Sequence, residues 1–163
     1  MMNKEISDLI IKYGKKYSID PAIVYGICET ESDFNQYAER YEPDYRWIED
    51  IPSNKPKNCS NQTERMFQKT SIGIMQVMGG VFRQYGYVGW RGEILSNLNV
   101  QFDYGCRHLK SKIKLYGKDG GIIAYNSGSP HMKNGKYINQ SYLDKVLKCA
   151  KEYPKKFCQV FKT

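Results

Sequence analysis

The sequence predicts one mainly α-helical domain across residues 1–163, either all-α or α with a minor hairpin. Three observations point there: apolar residues recur at helical spacing through most of the chain, strand alternation is nearly absent, and 163 residues suit a single core.

The elements follow in order. Ile6, Leu9, Ile10 and Tyr13 obey the i, i+3, i+4, i+7 rule, and the pattern breaks at Gly14. Asp20 before Pro21 supplies a cap and a first-turn proline for the next helix. Its apolar stripe, Ile23 and Ile27, runs on into Glu31, because residues four apart share a helical face. Glu29 stacks above Tyr25 on a different face and is expected to stay solvated. Glu31 has two readings. It ends the helix and points to water, or its apolar neighbours desolvate it, raise its pKa and keep it protonated near neutral pH, as a general acid requires.

From Pro43 to about Ser60, Pro43, Pro52 and Pro56 among polar residues predict a long loop or flap, and such loops are often functional. Trp47 and Ile48 within it need something to cover. Asn61 with Glu64 resembles a capping box opening a short helix toward Lys69. Leu98, Phe102, Cys106, Leu109 and Ile113 mark a long helix from about Asn97 to Gly117. Asp119 can cap a short apolar helix, Gly120 to Asn126, closed by Gly128. Tyr142, Val146, Leu147 and Ala150 define a last amphipathic helix, predicted to stop at Pro154.

Composition narrows the chemistry. Five cysteines (Cys28, Cys59, Cys106, Cys149, Cys158) are widely and irregularly spaced without a CxxC pair, and His108 and His131 stand alone, so no metal or cofactor is expected. Cys28, Cys106 and Cys149 fall on helical patterns and read as small core residues. The net charge of +8, from 25 Lys and Arg against 17 Asp and Glu, favours a polyanionic partner such as nucleic acid, anionic lipid or acidic envelope polymers. The clusters Lys110/Lys112/Lys114 and Lys155/Lys156 each read as a solvated face, and without an arginine-rich arm or nucleic-acid motif no nucleic acid is expected. The first residues enter polar helical sequence without a secretory signal, and no apolar run reaches membrane-spanning length. These features predict a protein made in the cytosol with reduced thiols and no stable membrane insertion. With 13% aromatic residues, 14 of them Tyr, against 40% hydrophobic overall, aromatic surface is expected in a groove or on the outside.

Three separated stretches resemble one family. Glu31-Ser32-Asp33-Phe34-Asn35 resembles the Glu-Ser motif of lytic transglycosylases, Ser71-Ile72-Gly73-Ile74-Met75-Gln76-Val77-Met78 their Gly-Leu-Met-Gln motif, and Ala124-Tyr125-Asn126-Ser127-Gly128 their Ala-Tyr-Asn-Ala-Gly motif. Tyr137 in Gly135-Lys136-Tyr137-Ile138 adds a fourth point, and the likeness runs from about Ile6 to Val146. Arg40-Tyr41-Glu42-Pro43 looks most like the bacteriophage-type branch, whose members are endolysins or virion-associated wall-degrading enzymes.

The resemblance implies a lysozyme-like fold, a monomer that acts on the bacterial wall, and cleavage of the β-1,4 bond between N-acetylmuramic acid and N-acetylglucosamine in peptidoglycan. Glu31 is then the catalytic acid and later base, with a 1,6-anhydro product. Ser71, Gly73, Met75, Gln76, Met78, Tyr125, Asn126 and Tyr137 become substrate-binding candidates. By pattern alone, Met75 and Met78 are more often core filler than ligand contacts, and Tyr125 and Asn126 equally a helix C-terminal plug. An inverting hydrolase needs a second carboxylate roughly 6.5–9.5 Å away to activate water. Residues 65–92 contain no Asp or Glu, which favours transglycosylation, while Glu39, Glu42 and Asp44 stay open as bases for an inverting muramidase. A non-catalytic wall-binding protein is the reading from another class, and retention of Glu31 with Tyr125 speaks against it.

Overall fold

Helix α1 (Lys4–Tyr17) begins where the Asn3 side chain accepts from the Ile6 N–H, and it buries Ile6, Leu9, Ile10 and Tyr13. It does not break at Gly14, as the sequence predicts, but ends at Ser18 in the left-handed region. Gly14 is there for close approach: a Cβ would lie 3.0 Å from the Ile19 carbonyl and 3.2 Å from the Pro21 ring, where the chain turns into the next helix. The computed structural model describes residues 2–50 and 53–160, with side chains to residue 155. Pro52, Lys156 and Cys158 therefore lie outside the described side chains.

Helix α2 (Pro21–Ser32) starts as predicted, with Asp20 accepting from Ala22 N–H. Strand β1 (Glu39–Tyr41) and the long loop lead to α3 (Asn61–Gln68). Here Ser60 rather than Asn61 is the cap, accepting from Thr63 N–H at 3.0 Å, and Glu64 turns inward instead of reaching back to the helix start. Strands β2 (Thr70–Ile72) and β3 (Val77–Met78) complete an antiparallel sheet in the order β1-β2-β3, with Ser71 opposite both Arg40 and Met78. Short helices α4 (Gly79–Gln84) and α5 (Arg91–Leu95) precede α6 (Leu98–Ser127), which is two helices joined at Gly117, where φ is 73° and ψ 179°. The predicted end at Gly117 and the following short helix correspond to this kink. A hairpin of β4 (Met132–Lys133) and β5 (Lys136–Tyr137) leads into α7 (Gln140–Val160).

α7 does not stop at Pro154. Proline removes one backbone donor from a helix, but packing ahead of that turn holds the element: Tyr153 lies tilted against Tyr25 with ring centroids 5.3 Å apart, and Gly26 of α2 lets the α7 backbone approach so closely that a Cβ would meet the Val146 carbonyl at 2.5 Å. α2 thus lies in the centre, pressed against α7 and α1, with Val24, Ile27 and Cys28 fully buried. Cys106 is fully buried as expected, whereas Cys149 is only half-buried.

The predicted flap has no regular secondary structure in its described residues, yet it is tied down. Gln68 receives the Glu49 N–H at 2.7 Å and donates to the Glu49 carbonyl at 2.9 Å. Asn54 donates to the carbonyls of Arg83 and Tyr87.

Candidate active site

A groove of about 600 Å³ runs between the end of α2, the β-sheet, α4, α6 and the flap. Glu31 enters it from the last turn of α2. That turn is held in place because Asp33 and Phe34 take left-handed backbone, with φ 49° and 62°, and because Ser32 Oγ donates to the Ile74 carbonyl at 2.8 Å. The helix end and the β2–β3 turn are therefore one unit.

Glu31 Oε1 accepts a hydrogen bond from the Tyr142 hydroxyl at 2.5 Å. Burial pushes the Glu31 carboxyl above its usual range; Tyr142, Arg40, Lys145 and the Asn126 amide each pull it back, without cancelling the effect. No cation forms an ion pair with Glu31 among the described residues. The arrangement suits a carboxyl that holds a proton and gives it up to a partner with a leaving oxygen.

Ser71, Gln76, Met78, Tyr125 and Asn126 line the same groove as Glu31. Their bonding qualifies the expected roles. Both amide hydrogens of Gln76 are taken by the carbonyls of Ala38 and Gly73, at 2.9 and 2.8 Å, and its oxygen receives Ser71 Oγ at 2.9 Å. Gln76, with φ 48°, chiefly fastens the turn. Tyr125 donates to the Met75 carbonyl at 2.7 Å, so it presents its ring, not its hydroxyl, to the groove. Asn126 Oδ1 accepts from Asn139, which leaves its amide to face Glu31.

Three expected contacts are not on the groove wall. Met75 is fully buried, its sulfur filling the space that Gly105 leaves on α6. Gly73 serves the turn: φ is +80° and a Cβ would collide with Gln101, whose oxygen accepts the Ile74 N–H. Tyr137 sits half-buried in the hairpin, near Gly120. Turn geometry points Gly73 and Met75 inward because the motif that contains them builds the sheet corner.

Among the remaining residues that touch Glu31 or line the groove, local pattern points only to Glu42 and Asp44. By pattern Tyr142 belongs to the apolar face of α7; its hydroxyl on that face is the one signal that it needs a polar partner. His108 packs against Tyr125 at 5.4 Å, and burial, then the neighbouring Lys112, pushes its pKa down to about 4, so it is neutral at pH 7. Trp47 and Tyr45 bring the flap onto the groove, their rings 5.6 Å apart, with Trp47 over Gly128. Glu42 and Asp44 also line the groove, Glu42 receiving Arg40 Nε at 2.5 Å, whereas Glu39 is drawn away to Arg91 at 3.2 Å.

No curated protein and no solved structure matches the chain. A family model does: the transglycosylase SLT domain matches residues 8–147. The match covers most of the chain and includes Glu31, the Ser71–Met78 turn and Tyr125–Gly128, so the protein belongs to the transglycosylase SLT domain family, lysozyme-like lytic transglycosylases that act on peptidoglycan.

Proposed function

We propose that the protein cleaves the N-acetylmuramic acid to N-acetylglucosamine β-1,4 bond by transglycosylation, leaving a 1,6-anhydro-muramic end, with Glu31 as acid and then base. The observation that carries this reading is Glu31 itself: a groove carboxyl, bonded to a phenol and without an ion-pair partner, whose burial favours the protonated form.

The steps follow from that state. Glu31 gives its proton to the departing glycosidic oxygen while positive charge develops at the muramic anomeric carbon. As the carboxylate forms, the Tyr142 hydroxyl bond and the Asn126 amide stabilise it, since both favour the charged form. The substrate's N-acetyl oxygen supports the cation, the C6 hydroxyl of the same sugar attacks, and Glu31 recovers the proton. Delivery of the nucleophile within one residue replaces a positioned water by high effective molarity.

One observation favours a second reading, inverting hydrolysis: Glu42 and Asp44 stand on the groove wall and supply the second carboxylate that residues 65–92 lack. Digestion of purified peptidoglycan in ¹⁸O-water separates the two. Transglycosylation leaves unlabelled anhydro ends; a majority of labelled reducing ends would overturn the proposal, and the amide variants of Glu42 and Asp44 would then identify the base. The Arg40-Tyr41-Glu42-Pro43 likeness places the protein, in our reading, in the bacteriophage-type branch, as a monomeric enzyme whose +8 charge draws it to the acidic polymers of the wall.

A further inference from the structure

Lys112 is a cation on the groove wall without a counter-charge. It lies on α6 ahead of the Gly117 kink, and its ammonium donates to the Gly128 carbonyl at 2.6 Å. Gly128 itself has φ 82° and ends the short helix that carries Tyr125 and Asn126. That bond keeps Lys112 beside Ser127 and Ser129 on the wall of the groove.

Two features make the ammonium unusual. No Asp or Glu pairs with it among the described residues, whereas Arg40, another groove cation, is engaged by Glu42. It is also half-buried, and burial lowers its pKa. Holding a cation partly out of water against a single neutral carbonyl is unfavourable unless something completes its shell. The charges of the groove are divided as well: on the flap side Arg40 and Glu42 compensate one another and Asp44 remains, while Lys112 stands on the α6 side. His108, the neighbour of Lys112, is neutral and adds no second positive charge. An anionic substituent entering this groove is repelled from the one side and met by the other.

Resting on the peptidoglycan reading above, we propose that Lys112 forms a subsite for a carboxylate of the substrate. Peptidoglycan offers that group from two sources. Where the stem peptide has been removed, the lactyl arm of N-acetylmuramic acid ends in a free carboxylate; where the peptide is attached, the arm is a neutral amide and the carboxylates are those of the peptide. Which of the two carboxylates the subsite takes decides whether it favours naked or peptide-bearing strands.

The test is binding, measured by calorimetry in a Glu31→Gln background with and without Lys112→Met, which keeps the length and loses the charge. Three ligands are compared: a neutral N-acetylglucosamine tetramer, an alternating glucosamine–muramic tetramer with free lactyl carboxylates, and the same tetramer bearing stem peptides. Lys112→Met should weaken one or both charged ligands about tenfold or more and leave the neutral one within about twofold. Loss confined to the lactyl ligand identifies that arm, and loss confined to the peptide ligand identifies the peptide. Equal loss on all three, as expected of a mere strut to Gly128, or no loss on the charged pair, overturns the proposal; Lys112→Gln serves if the methionine variant does not fold. Mass spectrometry of the same samples reports on Glu31 separately, because cleavage by the Glu31→Gln protein counts against the acid assignment while the ratio between charged and neutral ligands at early times still reports on Lys112.

Discussion

Glu64 and Glu31 are both carboxylates withdrawn from water, and the molecule treats them in opposite ways. Glu64, 1% exposed, is gripped by Arg83 through two contacts, Nε to Oε1 at 2.9 Å and Nη2 to Oε2 at 3.1 Å, and by Gln68 at 3.2 Å. Arg83 in turn stacks on Phe67 and donates to the carbonyls of Tyr87 and Gly89. Glu31 receives one phenol hydroxyl, and its cations stand off. The contrast teaches that burial alone does not make a reactive carboxyl. Burial with a matched counter-charge makes a brace; burial with the counter-charge withheld makes an acid.

The comparison breaks if either residue behaves like the other. Glu31→Gln should reduce release of soluble fragments from purified walls by about 10²–10⁴-fold, because the amide keeps its bonds but carries no acidic proton. Its stability should move the other way. The folded-state pKa of Glu31 lies above its unfolded value, so between the two the native protein binds more protons and stability falls as pH rises through that window. Melting curves across the window should therefore show a flatter pH dependence for the variant, and no loss of stability at pH 7.

Arg83→Met leaves Glu64 buried without its partner and should cost about 3–5 kcal/mol in denaturant unfolding, with activity per folded molecule unchanged. A variant that stayed stable but lost activity would show that the pair serves the groove instead.

Tyr142→Phe sharpens the comparison with a smaller effect, about a tenfold loss of activity for one hydrogen bond to a forming carboxylate. Since the hydroxyl pulls the Glu31 pKa down, its removal should move the alkaline limb of the pH–rate profile upward. An unshifted limb would mean that the bond seen here does not persist during turnover. The smallest effect is that of salt: raising ionic strength past about 0.15 M, where the Debye length is about 8 Å, should weaken wall lysis on the order of a few-fold and leave a short neutral oligosaccharide unaffected.

Much of this contrast was legible in the residues. Asp20-Pro21 and the Ile23/Ile27 stripe put Glu31 on the inner face of α2, because capping and helical periodicity are local properties. Local pattern makes Glu64 a capping-box partner, since nothing near it in sequence announces Arg83 nineteen residues on. By intrinsic preference Gly14 and Pro154 both end helices; instead the helix runs on past Gly14, whose missing side chain admits Pro21, and α7 runs on past Pro154, whose neighbour Tyr153 packs on Tyr25. Within the Ser71–Met78 motif the side chains divide their work in a way local pattern does not show: Met75 and Gly73 build the corner, while Gln76 spends its amide on it.

The mainly helical class, the position of Glu31 at the end of the Ile23/Ile27 stripe, the helix break at Gly117 and the kinship of the chain were all readable from residues alone, because periodicity, caps, glycines and short motifs act within a few residues of one another. Only the tertiary structure decided which polar groups share one groove. Tyr142 meets Glu31 across 111 positions, Glu42 and Asp44 come to the groove while Glu39 leaves it, and Lys112 is left on the groove wall without a counter-charge. These are matters of distance and desolvation between remote segments, set when the helices pack and the flap closes on them, and local pattern carries no record of them.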